Sequence, residues 1–250
     1  MTAAPPHPAD LVAELRVALG ADAVLADPDV TASYGRDMMP LAPHGQPLAV
    51  VLPADAEAVR RVVRACARAG VPIVPRGAGS GLSGAANAVD GCVVLVTTKM
   101  NAIEEIDPDN RLAVVQPGVV NLDLRDAVEK HGLFYPPDPS SYDWCTIGGN
   151  LATNAGGLCC VKYGVTTDSV LGLEVVLADG ELLRTGRRTV KGVAGYDLTK
   201  LFIGSEGTLG VITKATLALR PLPQAPCTLV ATFDSAAAAG AAVTNIIREG

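Results

Sequence analysis

The stretch Pro75-Arg76-Gly77-Ala78-Gly79-Ser80-Gly81-Leu82-Ser83-Gly84 directly follows a predicted strand, Val71–Val74. Its four glycines permit positive φ and remove Cβ clashes, so that successive backbone N–H groups can point into one concavity. Such a nest binds a diphosphate through backbone dipoles, although a glycine-rich loop can also be only a turn. A Rossmann fingerprint would require a helix to begin inside the glycine run. Here residues 85–91 lead to another strand instead, which argues against a Rossmann domain.

A second segment without bulky side chains comprises Pro136–Ser141 and Thr146–Gly157. Prolines fix the backbone and paired glycines allow close approach. Hydrogen bonds can come from the side chains of Thr146, Asn150, Thr153 and Asn154. A purely structural turn region is the alternative. Two such surfaces in one domain predict a long ligand with a diphosphate and two ring systems.

A third segment runs from Lys191 to Leu198 and continues from Ile203 to Ile212. Glu206 is flanked by glycines and precedes an apolar strand, which is an unusual position for a carboxylate unless its backbone or side chain contacts something. A solvated loop acid is the alternative interpretation.

The first half of the chain predicts a compact β-α-β unit. Strand Leu48–Leu52 is followed by a helix with Asp55 as its N-cap and Gly70 at its end, and then by strand Val71–Val74. The right-handed crossover rule makes these two strands parallel. An amphipathic helix over Ala9–Leu19 precedes this unit.

The second half predicts short strands separated by turns and one helix, from Leu122 to His131. The Asp-Gly pair in Ala178-Asp179-Gly180 is a strong hairpin signal. The expected fold class is therefore α+β, with a small parallel unit followed by a larger mixed sheet. The predicted strands are Cys92–Thr97, Ala102–Ile106, Leu112–Gln116, Val170–Leu177, Glu181–Thr185 and Leu209–Leu219.

The proline-rich stretch Pro221–Pro226 predicts a domain boundary. Beyond it, Cys227–Phe233 predicts a strand and Ser235–Arg248 a helix, which together bury too little to fold alone. We therefore expect three parts: an N-terminal helix and connection (1–47), a main domain (48–223) and the truncated start of a further domain (224–250).

Composition narrows the class of function. The chain has 250 residues and a net charge of −6, which argues against a nucleic-acid partner. The N-terminal residues Met1–Pro6 lack the features of a secretory signal, and no apolar stretch reaches the roughly 18 residues of a spanning helix. We expect a cytoplasmic protein with six reduced cysteines and no metal site.

The three segments, in this order, resemble the FAD-binding (PCMH-type) domain of the vanillyl-alcohol oxidase / p-cresol methylhydroxylase flavoprotein family. The nearest branch is the one of the glycolate oxidase FAD-binding subunit and the D-lactate dehydrogenases. The resemblance covers roughly Ala49 to Pro223 and implies FAD bound between two α+β subdomains. The FAD-binding residues it implies are Arg76, Gly77, Ala78, Gly79, Ser80, Gly81 and Leu82 around the pyrophosphate; Pro137, Asp138, Pro139, Ser140, Thr146, Gly148, Gly149, Asn150, Asn154, Ala155 and Gly156 on the flavin and ribityl side; and Glu206, Gly210, Val211 and Ile212 on the adenine side.

The resemblance also implies an activity: oxidation of a 2-hydroxy acid such as glycolate or D-lactate by hydride transfer to the flavin. Alternatives are a D-2-hydroxyglutarate dehydrogenase-like or alkyl-glycerone-phosphate synthase-like flavoprotein, or a non-catalytic FAD-binding module. Iron–sulfur or other electron-transfer subunits are possible partners. The three histidines lie outside the glycine-rich segments, so we expect noncovalent FAD. Relatives continue into a ferredoxin-like cap with the substrate-orienting groups, so no catalytic residue is assigned and this chain alone is expected to be inactive.

Overall fold

A computed structural model describes residues 8–189, 191–224 and 227–249. The Met1–Pro6 stretch and the last two residues of the predicted Pro221–Pro226 boundary lie outside these ranges. The described chain forms two packed α+β units, as the sequence predicts. None of the helices in these ranges is long and apolar enough to cross a membrane.

The smaller unit is a four-stranded sheet with helices α1 (Pro8–Leu19), α2 (Pro28–Ala32) and α3 (Ala56–Ala69). Its strands β1 (Val24–Leu25), β2 (Ala49–Val51), β3 (Ile73–Arg76) and β4 (Val93–Val96) lie in the order β1-β2-β4-β3. The predicted parallel direction of β2 and β3 is confirmed, but each pairs with β4, which lies between them. Strand β1 is antiparallel to β2, so the chain before residue 48 is part of this sheet.

Helix α3 forms where its capping signals predict. The Asp55 carboxylate accepts a hydrogen bond from the Ala58 N–H at 2.7 Å, and Gly70 ends the helix in the left-handed conformation at φ +66°. Its apolar stripe packs on α1 and the sheet, with Val59, Val62 and Cys66 fully buried. The helix therefore contributes its apolar face to the core of the smaller unit.

The larger unit is built on a five-stranded sheet in the order β5-β6-β10-β8-β9. Its strands are β5 (Ile103–Asp107), β6 (Leu112–Val115), β8 (Val170–Val176), β9 (Leu182–Gly186) and β10 (Val211–Ala218), and the Asp-Gly hairpin between β8 and β9 is confirmed. A separate two-stranded sheet pairs β7 (Leu133–Phe134) with β11 (Arg220–Pro221). The helices are α4 (Asn121–Glu129), α5 (Ile147–Thr153), α6 (Cys160–Tyr163) and α7 (Leu198–Phe202), with 3₁₀ turns at Ala21–Ala23, Thr97–Lys99 and Thr166–Ser169.

The α+β class is confirmed, but the strand directions are distributed differently from the prediction. The larger sheet is antiparallel throughout, and parallel and antiparallel pairs are mixed in the smaller one. The reason is that β10 inserts between β6 and β8, which places antiparallel neighbours on both of its sides. Alternate burial along β10 shows that one of its faces covers the core.

The two units share part of their core. Val176 and Val211 of the larger unit belong to the apolar cluster of α3. The Arg60 Nε donates to the Gly180 carbonyl at 2.9 Å, and Arg64 forms an ion pair with Glu181 at 2.8 Å. These contacts join α3 to the β8–β9 hairpin and to the start of β10.

The prediction of a strand at Cys227–Phe233 is wrong, because these residues form no strand in the structure. No strand among the described residues pairs with them, and Leu229 and Val230 are 89% and 90% exposed. The predicted helix is confirmed as α8 (Ala236–Glu249), which buries none of its residues. The ferredoxin-like character of this region stays a prediction.

Candidate functional site

A cavity of about 740 Å³ lies between the two units. One wall is formed by residues 75–83 of the glycine-rich loop 75–84, which begins in the last two residues of β3. The second wall includes residues 148–156, which belong to α5 and to the turn that follows it. The third is the segment 205–212, which leads into β10. Parts of all three segments singled out in the sequence therefore line one cavity, although they are far apart along the chain. The stretch Lys191–Leu198 of the third segment does not line it.

The loop of the first wall presents backbone donors. Within the described residues, no backbone N–H group of residues 77–82 donates to a protein acceptor. The Gly81 carbonyl is engaged within the protein, because it accepts the Met38 N–H at 3.0 Å. Unpaired N–H groups on a concave loop are a site for an anion.

Gly79 lies at φ +80°, and a Cβ there would be 2.1 Å from Arg76 Nη2. The guanidinium of Arg76 therefore fills the space beneath the loop. Its Nη1 donates to the Arg36 carbonyl at 3.0 Å, and its carbon Cζ lies 5.9 Å from the centre of the Tyr34 ring. Burial lowers the pKa of Arg76, whereas Asp37 and Tyr34 act in the opposite direction. Arg76 thus supports the loop and brings positive charge close to its N–H groups.

The second wall packs closely against the first. Thr146 caps α5, and its Oγ1 accepts the Gly149 N–H at 3.4 Å. A Cβ on Gly77 would lie 2.3 Å from that Oγ1, and a Cβ on Gly148 would lie 2.6 Å from Pro117 Cβ. Glycine is required at both positions because protein segments meet there.

The amide side chains of the second wall are engaged within the protein. Asn150 Oδ1 accepts from Asn121 Nδ2 at 2.9 Å, and Asn154 Oδ1 accepts the Thr167 N–H at 2.9 Å. Asn154 itself is left-handed at φ +48° and ends α5. These oxygens therefore hold the wall in shape.

Glu206 connects the third wall to the other two. It lies at φ +52°, which is rare for a residue other than glycine. Its N–H donates to the Ala152 carbonyl at 2.9 Å, and its Oε1 accepts from Ser83 Oγ at 3.0 Å. Glu206 is thus not an isolated solvated acid: it bridges the turn before β10 to the first glycine-rich loop.

All but three of the residues predicted from the sequence line the cavity. The three exceptions are Thr146, which caps α5; Pro137, whose carbonyl accepts from Asn121 Nδ2 at 3.2 Å; and Asp138, whose Oδ1 accepts the Cys159 N–H at 2.9 Å. The residues on the wall are Arg76–Leu82, Pro139, Ser140, Gly148–Asn150, Asn154–Gly156, Glu206 and Gly210–Ile212.

Several other lining residues were not predicted. Asp37 and Met38 come from the connection before β2, and Thr97 and Pro117 from turns of the two sheets. Trp144, the single tryptophan of the chain, also lines the cavity. Its position between the proline-rich and glycine-rich parts of the second segment is a signal that could have been used, whereas Asp37 has no such local signal.

Both carboxylates on the described cavity wall are already engaged with protein donors. These carboxylates are Asp37, whose oxygens accept the N–H groups of Met39 and Gly84, and Glu206. Burial, followed by a hydrogen bond to Asp138, raises the pKa of the nearby Cys159 thiol to about 11, which keeps it protonated near neutral pH. Within the described ranges, no cluster of His, Cys, Asp and Glu could hold a metal ion.

The sequence matches the family of FAD binding domains over residues 47–186. The glycolate oxidase subunit GlcD of Bacillus subtilis is 52% identical over 82% of this chain and 43% of its own length. A D-lactate dehydrogenase of Anaerostipes hadrus is 40% identical over 85% of this chain and 44% of its own length. The chain thus spans less than half the length of these relatives.

The fold is also found in a solved structure of p-cresol methylhydroxylase with substrate bound. The two superpose with a TM-score of 0.77 at 29% sequence identity, over 87% of this chain and 44% of the other. The likeness therefore extends over both units and the cavity between them.

Proposed function

The chain belongs to the family of FAD binding domains, and from this we propose that FAD occupies the cavity between the two units. The diphosphate would lie against the N–H groups of residues 77–82. The flavin and ribityl part would lie along Pro139–Ser140 and the start of α5, and the adenine part along residues 206–212. Pro137, Asp138 and Thr146 do not line the cavity and would support its wall through their hydrogen bonds within the protein.

The observation that carries this proposal is the loop of unpaired backbone donors beside a half-buried cation. A diphosphate is an anion that such a nest binds without a row of lysines, and the chain as a whole is acidic. The Arg76 guanidinium supplies the nearest positive charge. A volume of about 740 Å³ also lies within the usual range of ligand pockets, about 300–1,000 Å³.

We further propose that the whole protein is an FAD-dependent oxidoreductase that oxidises a 2-hydroxy acid such as glycolate or D-lactate. The identities of 52% and 40% to a glycolate oxidase subunit and a D-lactate dehydrogenase support this reaction class. When bound, the flavin supplies the hydride acceptor. The residues of this chain bind and orient the cofactor, and none of them is assigned as the base that takes the substrate proton.

The name of the Bacillus subtilis relative describes a subunit. We therefore propose that this protein acts together with further subunits that accept its electrons, of the iron–sulfur or another electron-transfer kind.

Reconstitution of the purified chain with FAD tests the cofactor proposal. We expect a yellow protein whose flavin is released into the supernatant on acid precipitation, because no histidine lies on the described cavity wall to form a covalent bond. Absorbance of the supernatant and of the redissolved pellet measures the two fractions. Flavin retained on the denatured pellet would contradict noncovalent binding, and a chain that takes up no FAD would refute the proposed cofactor site.

A further inference from the structure

The connection between α2 and β2 forms part of the cavity. Asp37 lies on the cavity wall and is only 8% exposed. It precedes residue 47, where the match to the family of FAD binding domains begins. A buried carboxylate needs compensating partners, since an isolated charge is costly to remove from water.

The partners of the carboxylate are one backbone N–H group of the connection and one of the glycine-rich loop. Asp37 Oδ1 accepts the Met39 N–H at 2.9 Å, and Oδ2 accepts the Gly84 N–H at 2.9 Å. The backbone N–H of Asp37 donates to Asn87 Oδ1 at 2.8 Å. One carboxylate thus joins the connection to the end of the loop.

The neighbouring residues of the connection repeat this arrangement. The Met38 N–H binds the Gly81 carbonyl, and the Arg36 carbonyl accepts from the guanidinium of Arg76. Together with the bonds of Asp37, these bonds engage the Gly81 carbonyl, the Gly84 N–H and the Arg76 guanidinium. The N–H groups of residues 77–82 are the ones left without a protein acceptor in the described chain.

The charge of Asp37 is balanced within this arrangement. Arg76 interacts with it electrostatically, and its two oxygens accept charge-assisted hydrogen bonds from backbone donors, which are stronger than neutral ones. The carboxylate is therefore occupied with holding the loop, and the arginine lies beside it on the same wall.

We propose that Asp37 is a positioning residue for the diphosphate of FAD: by accepting the Gly84 and Met39 N–H groups, it holds loop 75–84 with its N–H groups directed into the cavity. The connection before residue 47 is then part of the cofactor site. This inference rests on the proposed function, and it predicts that FAD affinity depends on a side chain whose carboxylate is engaged by backbone N–H groups of the protein.

The test compares Asp37→Ala and Asp37→Asn with a matched control, Asp55→Ala. Asp55 also accepts a backbone N–H with its carboxylate, at the start of α3, but it does not line the cavity. The dissociation constants for FAD and for ADP, which carries the diphosphate without the flavin, are measured by calorimetry, and each variant is checked by circular dichroism and thermal melting.

We expect Asp37→Ala to weaken FAD binding by about tenfold or more, since it removes two hydrogen bonds to a charged acceptor. ADP binding should weaken in parallel. Asp37→Asn should lie between wild type and Asp37→Ala, because its single amide oxygen can replace only one of the two accepting oxygens. Asp55→Ala should lower the melting temperature and leave both constants within about twofold of wild type.

Wild-type FAD affinity in a folded Asp37→Ala chain would overturn the inference and leave the proposed function intact. The inference would also be overturned if Asp55→Ala lost as much FAD affinity as Asp37→Ala at equal thermal destabilisation. The loss of affinity would then be a general consequence of lower stability. If Asp37→Ala does not fold, Asp37→Asn, which loses one of the two bonds, replaces it in the test. Wild-type FAD affinity in Asp37→Asn would then overturn the inference. A wild-type chain that binds no FAD would instead refute the proposed function, and this inference with it.

Discussion

At the scale of single residues, Gly79 shows how the loop depends on the absence of a side chain. Its φ of +80° is strained for any other residue, and a Cβ would meet the Arg76 guanidinium. We expect Gly79→Val to abolish FAD retention while leaving most of the secondary structure intact. Flavin absorbance per protein after gel filtration, together with circular dichroism, measures the two effects.

Gly132→Val is the matched control for this prediction. Gly132 has a similar φ of +70°, but a Cβ there would have no atom within 4 Å, and the residue does not line the cavity. The Gly132→Val substitution should therefore impose backbone strain, on the order of 1–3 kcal/mol, without loss of flavin. Equal flavin content in wild type and Gly79→Val would show that the loop is only a turn.

Most of the residues predicted from the sequence line the cavity, but the sequence does not explain why each residue type is needed there. Gly77 and Gly148 could be predicted as wall residues, yet the structure shows that Thr146 and Pro117 exclude a side chain there. Asp37 could not be predicted, because its role depends on Gly84, which reaches it only through the tertiary fold. A local pattern carries information about local backbone and little about such long-range partners.

At the scale of elements, helices with capping signals and strands with clear apolar patterns were predictable. Helix α3 begins and ends at its predicted caps. The order of the strands was not predictable, since β4 inserts between β2 and β3 and β10 between β6 and β8. The error at Cys227–Phe233 has the same origin: an apolar β pattern forms a strand only where a neighbour pairs with it.

Helix α8 leads to a prediction about this C-terminal element. It buries no residue, and Val243, Ile246 and Ile247 are exposed on it. Removing residues 225–250 should therefore change the free energy of unfolding by less than about 0.5 kcal/mol and leave FAD affinity unchanged. It should also reduce self-association, because exposed apolar groups promote it.

Denaturant unfolding and light scattering of the shortened and complete chains check this expectation. Clear destabilisation of the shortened chain would mean that α8 packs on the two units. Unchanged scattering would show that its apolar side chains do not drive association.

At the scale of the whole molecule, the cavity has walls from both units, and the two carboxylates on its described wall, Asp37 and Glu206, already accept hydrogen bonds from the protein. Hydride transfer requires the substrate carbon to be held about 3–3.5 Å from its acceptor. We therefore expect the FAD-loaded chain to be inactive with glycolate, D-lactate and D-2-hydroxyglutarate. Reduction of a dye acceptor is the measurement, and turnover on the order of 1 s⁻¹ or faster would show that a working substrate site is already present.

The central position of β10 also determines when the first and third walls of the cavity can come together during synthesis of the chain. Ala215 of β10 pairs with Val115 of β6, so the larger sheet closes only after most of the chain has left the ribosome. The smaller sheet is complete once β4 at Val93–Val96 has emerged. A nascent chain should therefore display the glycine-rich loop well before the segment 205–212 arrives opposite it, and cofactor capture becomes one of the last events of folding.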